Sequence, residues 1–271
     1  MRSILVNAYD DSGLDARLQV SADLVRAFEG HLTCLNATPY EMSPPGDPYG
    51  AAFAVMIPVM REAAEQLEKR VVAHLEKEDI AWDFVSQAGT AEDRLLAHSA
   101  INDLVVAGSR EPVAGGKAPS RTVSALVVKA RTPVLIVPDD ARSFDTAAPA
   151  VVAWNGSTEA CNALRAALPL LKKAGSVFLI CANEPAKKRE YDFPSLAGAN
   201  YLSRHGIASE IVELPSGKPE IADQILKAAN ARDAGLIVMG AYGHRRLTET
   251  ILGGVTRRML SNVTVPLLLA H

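Results

Sequence analysis

The chain has 271 residues, a formal net charge of −3 and three cysteines, and 48% of its residues are hydrophobic. This composition excludes a disordered chain, a disulfide-stapled scaffold and a generally basic nucleic-acid-binding protein. The sequence contains no signal-peptide pattern and no run of about 18 apolar residues that would form a membrane helix. We therefore expect a soluble cytoplasmic protein without nucleic-acid or membrane partners.

Short apolar runs alternate with helical patterns along the whole chain. In the first half, the patterns predict strands at about 3–9, 31–37, 81–86, 103–107 and 133–137, and helices at about 14–29, 52–78, 91–100 and 120–130. In the second half, they predict strands at about 149–154, 176–181, 207–213, 235–239 and 265–269. Strands that alternate with helices indicate a parallel sheet covered by helices on both faces.

Three segments of the first half recur in the second half in the same order. The corresponding segments are 8–12 and 153–157, 104–108 and 236–240, and 132–137 and 265–270. A proline- and glycine-rich insertion within 38–60 explains the difference in spacing. The repeat predicts an α/β fold of two tandem doubly wound domains, 1–138 and 149–271, each with a five-stranded, mainly parallel sheet. A polar linker, 138–149, is expected to join them.

The two halves differ in charge: residues 1–140 carry −7 and residues 141–271 carry +4. An anionic ligand would favour the second half, although drift of surface composition explains the same difference. In doubly wound sheets, ligands bind beyond the carboxyl ends of the strands, where the strand order reverses. The turns that follow the strands are therefore the places to search for a site.

The turn after the fourth strand of the second half is rich in glycine. Gly240 and Gly243 are followed nine residues later by Gly253, and Gly253 and Gly254 open a helix. Glycines let the backbone approach a ligand, and free amides at a helix N-terminus favour a phosphate. Thr256 adds a hydroxyl donor. Positive charge nearby comes from His244, Arg245, Arg246, Arg257 and Arg258.

The spacing Gly-x2-Gly-x9-Gly resembles the ATP-binding signature of the universal stress protein family, and the repeat resembles its tandem class. The resemblance implies the adenine nucleotide alpha hydrolase-like fold, a role in stress response, and a site for ATP, with or without Mg²⁺, in the second half. It implies at most a weak ATPase, because no pair of residues has a convincing claim to acid–base catalysis. No residue is assigned to catalysis or to metal ligation. The implied binding residues are Trp154, Asn155, Ala182, Gly240, Tyr242, Gly243, His244, Gly253, Gly254, Val255 and Thr256.

Two positions depart from the family pattern. Gly254 replaces the usual Ser or Thr after the third glycine, and Asn155, which aligns with Asp10, replaces an acid after the first strand. One neutral hydrogen bond is worth roughly 0.5–1.5 kcal/mol, so we expect about tenfold weaker binding. Asn155 either contacts the base or only forms a turn before an N-cap at Ser157. The alternative functions are an interaction protein with a decayed site and a protein that binds another adenine-containing ligand.

The first half has lost most of the glycine motif. Glu111 stands where Gly243 would be, and Ser120–Arg121 lie opposite Gly253–Gly254. A carboxylate at that place repels an anion, so we expect this half to bind ATP poorly or not at all. The segment 115–117 is interpreted as a flexible loop, because its spacing does not match a phosphate-binding loop.

The assembly of the two halves is inferred by analogy alone. Single-domain relatives pair through their last strands, so we expect 133–137 and 265–269 to pair within the chain as a pseudo-dimer, with a further homodimer left open. Cys34 and Cys181 are expected to be small buried residues. Cys161 lies on a helix without a base to activate it, so a nucleophilic role is not expected.

Overall fold

The computed structural model describes residues 1–38, 50–110, 120–182, 193–215, 220–241 and 254–271, with only the backbone described for 50–56 and 182. The strands are β1 (Ser3–Asn7), β2 (His31–Thr38), β3 (Ala81–Ala88), β4 (Leu104–Gly108), β5 (Val134–Val137), β6 (Ala150–Trp154), β7 (Val177–Ala182), β8 (Glu210–Leu214), β9 (Leu236–Gly240) and β10 (Leu267–Ala270). The helices are α1 (Leu14–Phe28), α2 (Gly50–Leu75), α3 (Ala91–Ser99), α4 (Arg121–Lys129), α5 (Thr158–Leu171), α6 (Ser195–Arg204), α7 (Ile221–Asn230) and α8 (Gly254–Ser261). The predicted strands and helices are confirmed to within three residues at their ends.

The described strands form one sheet in the order β3-β2-β1-β4-β5-β10-β9-β6-β7-β8. Each half contributes five parallel strands in the same relative order, which reverses between β1 and β4 and between β6 and β9. The two halves join through β5 and β10, which are antiparallel, with Leu135 opposite Leu268. The doubly wound fold and the pairing of the two last strands are therefore as predicted. Because β5 and β10 are antiparallel, the carboxyl ends of the two sets of strands lie at opposite edges of the sheet.

Helices cover both faces of this sheet. One apolar core lies under α1, α2, α5 and α6, and the other lies under α3, α4, α7 and α8. Both cores run across β5 and β10, so apolar burial connects the two halves on each face. Every residue of β4 is buried, as expected for a strand with helices on both sides. None of the helices in the described ranges is long and apolar enough to cross a membrane.

Hydroxyl side chains begin three of the helices. Thr90, Ser120 and Ser157 precede α3, α4 and α5, and each hydroxyl oxygen accepts a hydrogen bond from the backbone N–H three residues later. Such a cap satisfies one of the free amides of the first turn and contributes about 1 kcal/mol. The chain therefore specifies these helix starts locally, through side chains next to each helix.

The connection between the halves is more than a polar linker. Phe144 lies in its middle with 6% of its surface exposed and packs in the core under α1 and α5. Its backbone N–H donates to Asp23 Oδ2 at 2.7 Å. Ala147 accepts from the N–H of Gly175 at 2.8 Å. The expectation of a merely polar linker is therefore wrong, because an aromatic side chain anchors the segment to both halves.

Candidate functional site

The candidate site lies at the carboxyl ends of β6 and β9, where the strand order of the second half reverses. Asn155 follows β6 and is exposed, and its Oδ1 accepts a hydrogen bond from the N–H of Ser157 at 3.1 Å. Ser157 is buried, and its Oγ accepts from the N–H of Ala160 at 3.2 Å. The predicted turn and N-cap are confirmed, and they aim the N-terminus of α5 at this edge of the sheet.

A close backbone contact fixes the same turn from the other side. Gly156 has φ +77°, and a Cβ on it would lie 1.9 Å from the carbonyl oxygen of Phe193. The N–H of Phe193 donates to the oxygen of Gly156 at 2.9 Å. Trp154 is 5% exposed, and its Nε1 donates to the oxygen of Pro194 at 3.3 Å. Its indole also packs against Gly198 of α6, so this predicted binding residue lies beneath the rim of the site.

Gly240 ends β9 in direct contact with α5. A Cβ on this residue would lie 2.5 Å from the nitrogen of Ala160 and 2.8 Å from the oxygen of Glu159. The sequence predicts that Gly240 lets the backbone approach a ligand. The space that its missing side chain leaves is instead filled by the backbone of α5, so the glycine permits close packing of helix and strand.

The other described part of the glycine motif is the start of α8. Gly254 is exposed, and a Cβ on it would meet nothing within 4 Å. Val255 is half-buried against the core on this face. Thr256 is only 3% exposed and lies on the buried face of α8 with Met259 and Leu260. The N-terminus of α8 is thus open at Gly254, while Thr256 lies two residues further along, on the buried face of the helix.

One of the predicted cationic residues is already engaged. The Arg258 guanidinium donates two hydrogen bonds to the carboxylate of Asp223, both at 2.7 Å, and lies 3.5 Å from Glu220. These contacts hold α8 against α7. Arg257 is exposed on the neighbouring position of α8. Of the two arginines, Arg257 is therefore the one with its charge available at this end of the molecule.

The remaining predictions for the site fall partly outside the described residues. Ala182 ends β7 and pairs with Leu214 of β8, so its backbone lies at the same edge of the sheet as Asn155. The predicted residues outside the described ranges are Tyr242, Gly243, His244, Gly253, Arg245 and Arg246 in the second half, and Glu111 and 115–117 in the first.

The corresponding edge of the first half is organised by a buried arginine. Arg17 of α1 is 1% exposed, and its guanidinium pairs with Asp11 at 2.9 Å. It also donates to the backbone oxygens of Asn7 and Tyr9 at 3.1 and 2.9 Å. A Cβ on Gly108 would lie 2.8 Å from its Nη1. Sequence reasoning missed Arg17; the available signal was a charged residue on the otherwise apolar face of a helix.

The sheet register matches β1 with β6: Ile4 pairs with Leu104 as Ala150 pairs with Leu236. The predicted equivalence of Asp10 and Asn155 lies in the turns beyond these paired residues and stays a prediction. Asp10 accepts a hydrogen bond from Arg70 of α2 at 2.6 Å.

The cysteines and the metal-ligating residues give no further site. Burial, together with the carboxylate of Asp83, raises the pKa of the Cys34 thiol to about 12. Burial and the carboxylate of Glu213 raise the pKa of the Cys181 thiol to about 11. Both are buried, as predicted, and Cys161 is half-buried. Within the described ranges, no three His, Cys, Asp or Glu side chains are grouped so that they could hold a metal ion.

Comparison with known families decides the class of the second half. A model described as the universal stress protein family matches residues 148–271. These residues belong to the universal stress protein family. The match contains β6 to β10 and every residue predicted for the site. No curated protein shows a significant match to the chain.

Solved structures extend the likeness over both halves. A universal stress protein from Archaeoglobus fulgidus shares 20% identity, covers 98% of this chain and 97% of its own, and superposes with a TM-score of 0.74. A protein of unknown function from Pseudomonas aeruginosa shares 18% identity, with 100% and 92% coverage and a TM-score of 0.59. At these identities the comparison establishes the fold. The fold of both halves together is therefore similar to that of two solved structures of similar length.

Proposed function

We propose that the second half binds ATP and that the chain acts in a stress response, in the cytoplasm, with slow or no hydrolysis. The observation that carries the proposal is the glycine motif of this universal stress protein domain. Its described parts, Gly240 and Gly254, stand at the end of β9 and the start of α8, at the edge where the order of strands reverses. Phosphate binds favourably at a helix N-terminus that has free amides and no acidic residue in its first turn.

The first half is proposed as a second copy of the same domain, 1–138, that does not bind nucleotide. The hydroxyl of Ser120 caps α4 by accepting from the N–H of Val123 at 3.1 Å. At the equivalent helix start of the second half, Gly253 has no side chain that could cap α8. A ligand could therefore use the first amides of α8, whereas one of those of α4 is already used by Ser120. The pairing of β5 with β10 supports an intramolecular pseudo-dimer of the two copies.

The test is to purify the protein, denature it and separate the released small molecules by chromatography, followed by thermal shift with millimolar ATP. We expect ATP to be released or to raise Tm, and the variant Gly243→Glu, which copies Glu111, to abolish the shift. Val59→Glu introduces the same charge at an exposed position of α2 and is the matched control. If no nucleotide is released and ATP leaves Tm unchanged, the proposal is wrong.

One observation favours a second function, that of an interaction protein whose nucleotide site has decayed. The Oδ1 of Asn155 is already used by Ser157, and the charge of Arg258 is used by Asp223. Two groups that would recognise ATP are therefore satisfied within the protein. A chain that releases no nucleotide and ignores ATP in the thermal shift experiment would support this function.

A further inference from the structure

A carboxylate at the candidate site has a buried oxygen without a hydrogen-bond partner. Glu159 lies in the first turn of α5, with its backbone packed against Gly240. Its Oε2 is buried, and no described residue donates a hydrogen bond to it. A charged oxygen withdrawn from water costs free energy unless a donor or a cation meets it. The structure therefore calls for a partner at this atom.

The neighbours of Glu159 show that the position lies at the edge where the nucleotide is proposed to bind. Asn162, one turn further along α5, donates from Nδ2 to the backbone oxygen of His271, which follows β10. The Nδ1 of His271 is hydrogen-bonded to the oxygen of Ala241 at 3.1 Å, where the glycine-rich turn begins. Residues three apart share a helix face, and helical side chains lean towards the N-terminus. Glu159 thus stands between Asn155 and the start of the glycine-rich turn.

The first half gives an independent comparison, because its helix α1 matches α5. The buried residues of the two helices follow the same spacing when Leu14, Leu18 and Ser21 are aligned with Ala160, Leu164 and Ala167. Gly13 then corresponds to Glu159, and Arg17 corresponds to Ala163.

At that place the first half also has a carboxylate, and it has a cation beside it. A Cβ on Gly13 would lie 2.6 Å from Oδ1 of Asp139 and 3.1 Å from Nη1 of Arg17. The guanidinium of Arg17 further pairs with Asp11. In the second half, the methyl group of Ala163 replaces that guanidinium. Both halves thus have a carboxylate near corresponding positions of these helices, and among the described residues only the first half has a cation beside it.

We propose that Glu159 binds the Mg²⁺ ion carried by the phosphates of ATP, so that the second half takes the metal-bound nucleotide rather than the free one. This inference rests on the proposed function. Mg²⁺ on a nucleotide usually keeps several waters and needs only one or two carboxylates besides the phosphates. A single carboxylate is therefore sufficient, and the lack of a larger ligand cluster in the described ranges agrees with it. The positive ion offsets the repulsion between the negatively charged carboxylate and the negatively charged phosphates.

The experiment measures the Kd of ATP by isothermal titration calorimetry in Mg²⁺ and in EDTA. For the wild-type protein we expect about tenfold tighter binding with Mg²⁺, because the bare carboxylate repels the free triphosphate. Glu159→Gln removes that repulsion, so its affinity in EDTA rises above the wild-type value and its dependence on Mg²⁺ falls below about twofold. Glu159→Asp keeps the charge and retains a preference for Mg²⁺. If Glu159 had only a structural role, the Glu159→Gln variant would not bind ATP more tightly than the wild-type protein in EDTA.

Asp139→Asn is the matched control, because it removes the carboxylate at the corresponding place of the first half and should leave the preference for Mg²⁺ unchanged. AMP, which carries no terminal phosphates for the ion to bridge, should bind equally in Mg²⁺ and in EDTA. Equal ATP affinity of the wild-type protein in the two buffers would overturn the inference and leave the proposed function standing. ATP binding in neither buffer would overturn both.

Discussion

Replacing Gly240 by alanine tests whether this glycine serves packing or a ligand. The new Cβ would lie 2.5 Å from the nitrogen of Ala160 and 2.5 Å from the carbonyl carbon of Glu159, both backbone atoms. Ordinary van der Waals contact begins near 3.4 Å, so the first turn of α5 or the end of β9 must move by roughly 0.9 Å. Overpacking of this kind costs about 1–3 kcal/mol of unfolding free energy. In a chain of this size, each kcal/mol lowers Tm by about 2–4 °C.

Two other glycines provide graded controls in the same assay, thermal unfolding followed by circular dichroism. A Cβ on Gly108 would meet one side-chain atom, Nη1 of Arg17, at 2.8 Å, and its next neighbour only at 3.8 Å. A Cβ on Gly254 would meet nothing within 4 Å, and alanine favours a helix by up to about 1 kcal/mol. We therefore expect Gly240→Ala to lower Tm most, Gly108→Ala less, and Gly254→Ala not at all. A Gly240→Ala protein that unfolds at the wild-type temperature but no longer binds ATP would refute the packing argument.

Three further predictions concern the buried arginine, the helix start and the thiols. Arg17→Ala leaves Asp11 and two backbone oxygens without their donor, so the unfolding free energy should fall by about 3–5 kcal/mol. Arg2→Ala breaks only the exposed pair with Glu29 and should leave Tm nearly unchanged. Equal Tm values for the two variants would contradict this prediction. Gly254→Ser adds the hydroxyl that the family usually has, and calorimetry should show up to about tenfold tighter ATP binding; unaltered affinity would mean that no phosphate lies there. At pH 8, iodoacetamide should modify Cys161 and spare Cys34 and Cys181. Only a thiolate reacts, and burial raises the thiol pKa of Cys34 to about 12 and that of Cys181 to about 11. Mass spectrometry that finds Cys34 modified first would contradict this prediction.

The sequence predicts the sheet well because its strands carry a strong and local signal. The segment 104–108 is apolar at every position except the glycine that ends it, and all five residues are buried in β4. Ser157 likewise marks the start of α5 with its own side chain. Such features need no knowledge of distant contacts, and the repeated order of the runs then fixes the topology of both halves.

Local sequence patterns do not predict contacts between segments that are far apart in the chain. Phe144 lies in a polar stretch, and only the core between α1 and α5 explains its burial. Arg17 is buried because Asp11 and the end of β1 surround it, and the sequence alone assigns an arginine to the surface. Gly240 is close to α5 only after the helix has folded back along β9. For each of these residues, the deciding neighbour is tertiary.

The two halves therefore differ in what lies beside a carboxylate at the carboxyl ends of their strands. The first half closes its strand ends with an internal cation, because Arg17 meets Asp11 and lies beside Asp139. The second half has Ala163 at that position and leaves an oxygen of Glu159 buried without a donor from the described residues. A partner that binds only the folded state stabilises it in proportion to the logarithm of its concentration over Kd. The stability of the protein should consequently rise with metal-bound nucleotide through the second half, whereas the ends of the strands in the first half should be stabilised by Arg17 and not by nucleotide.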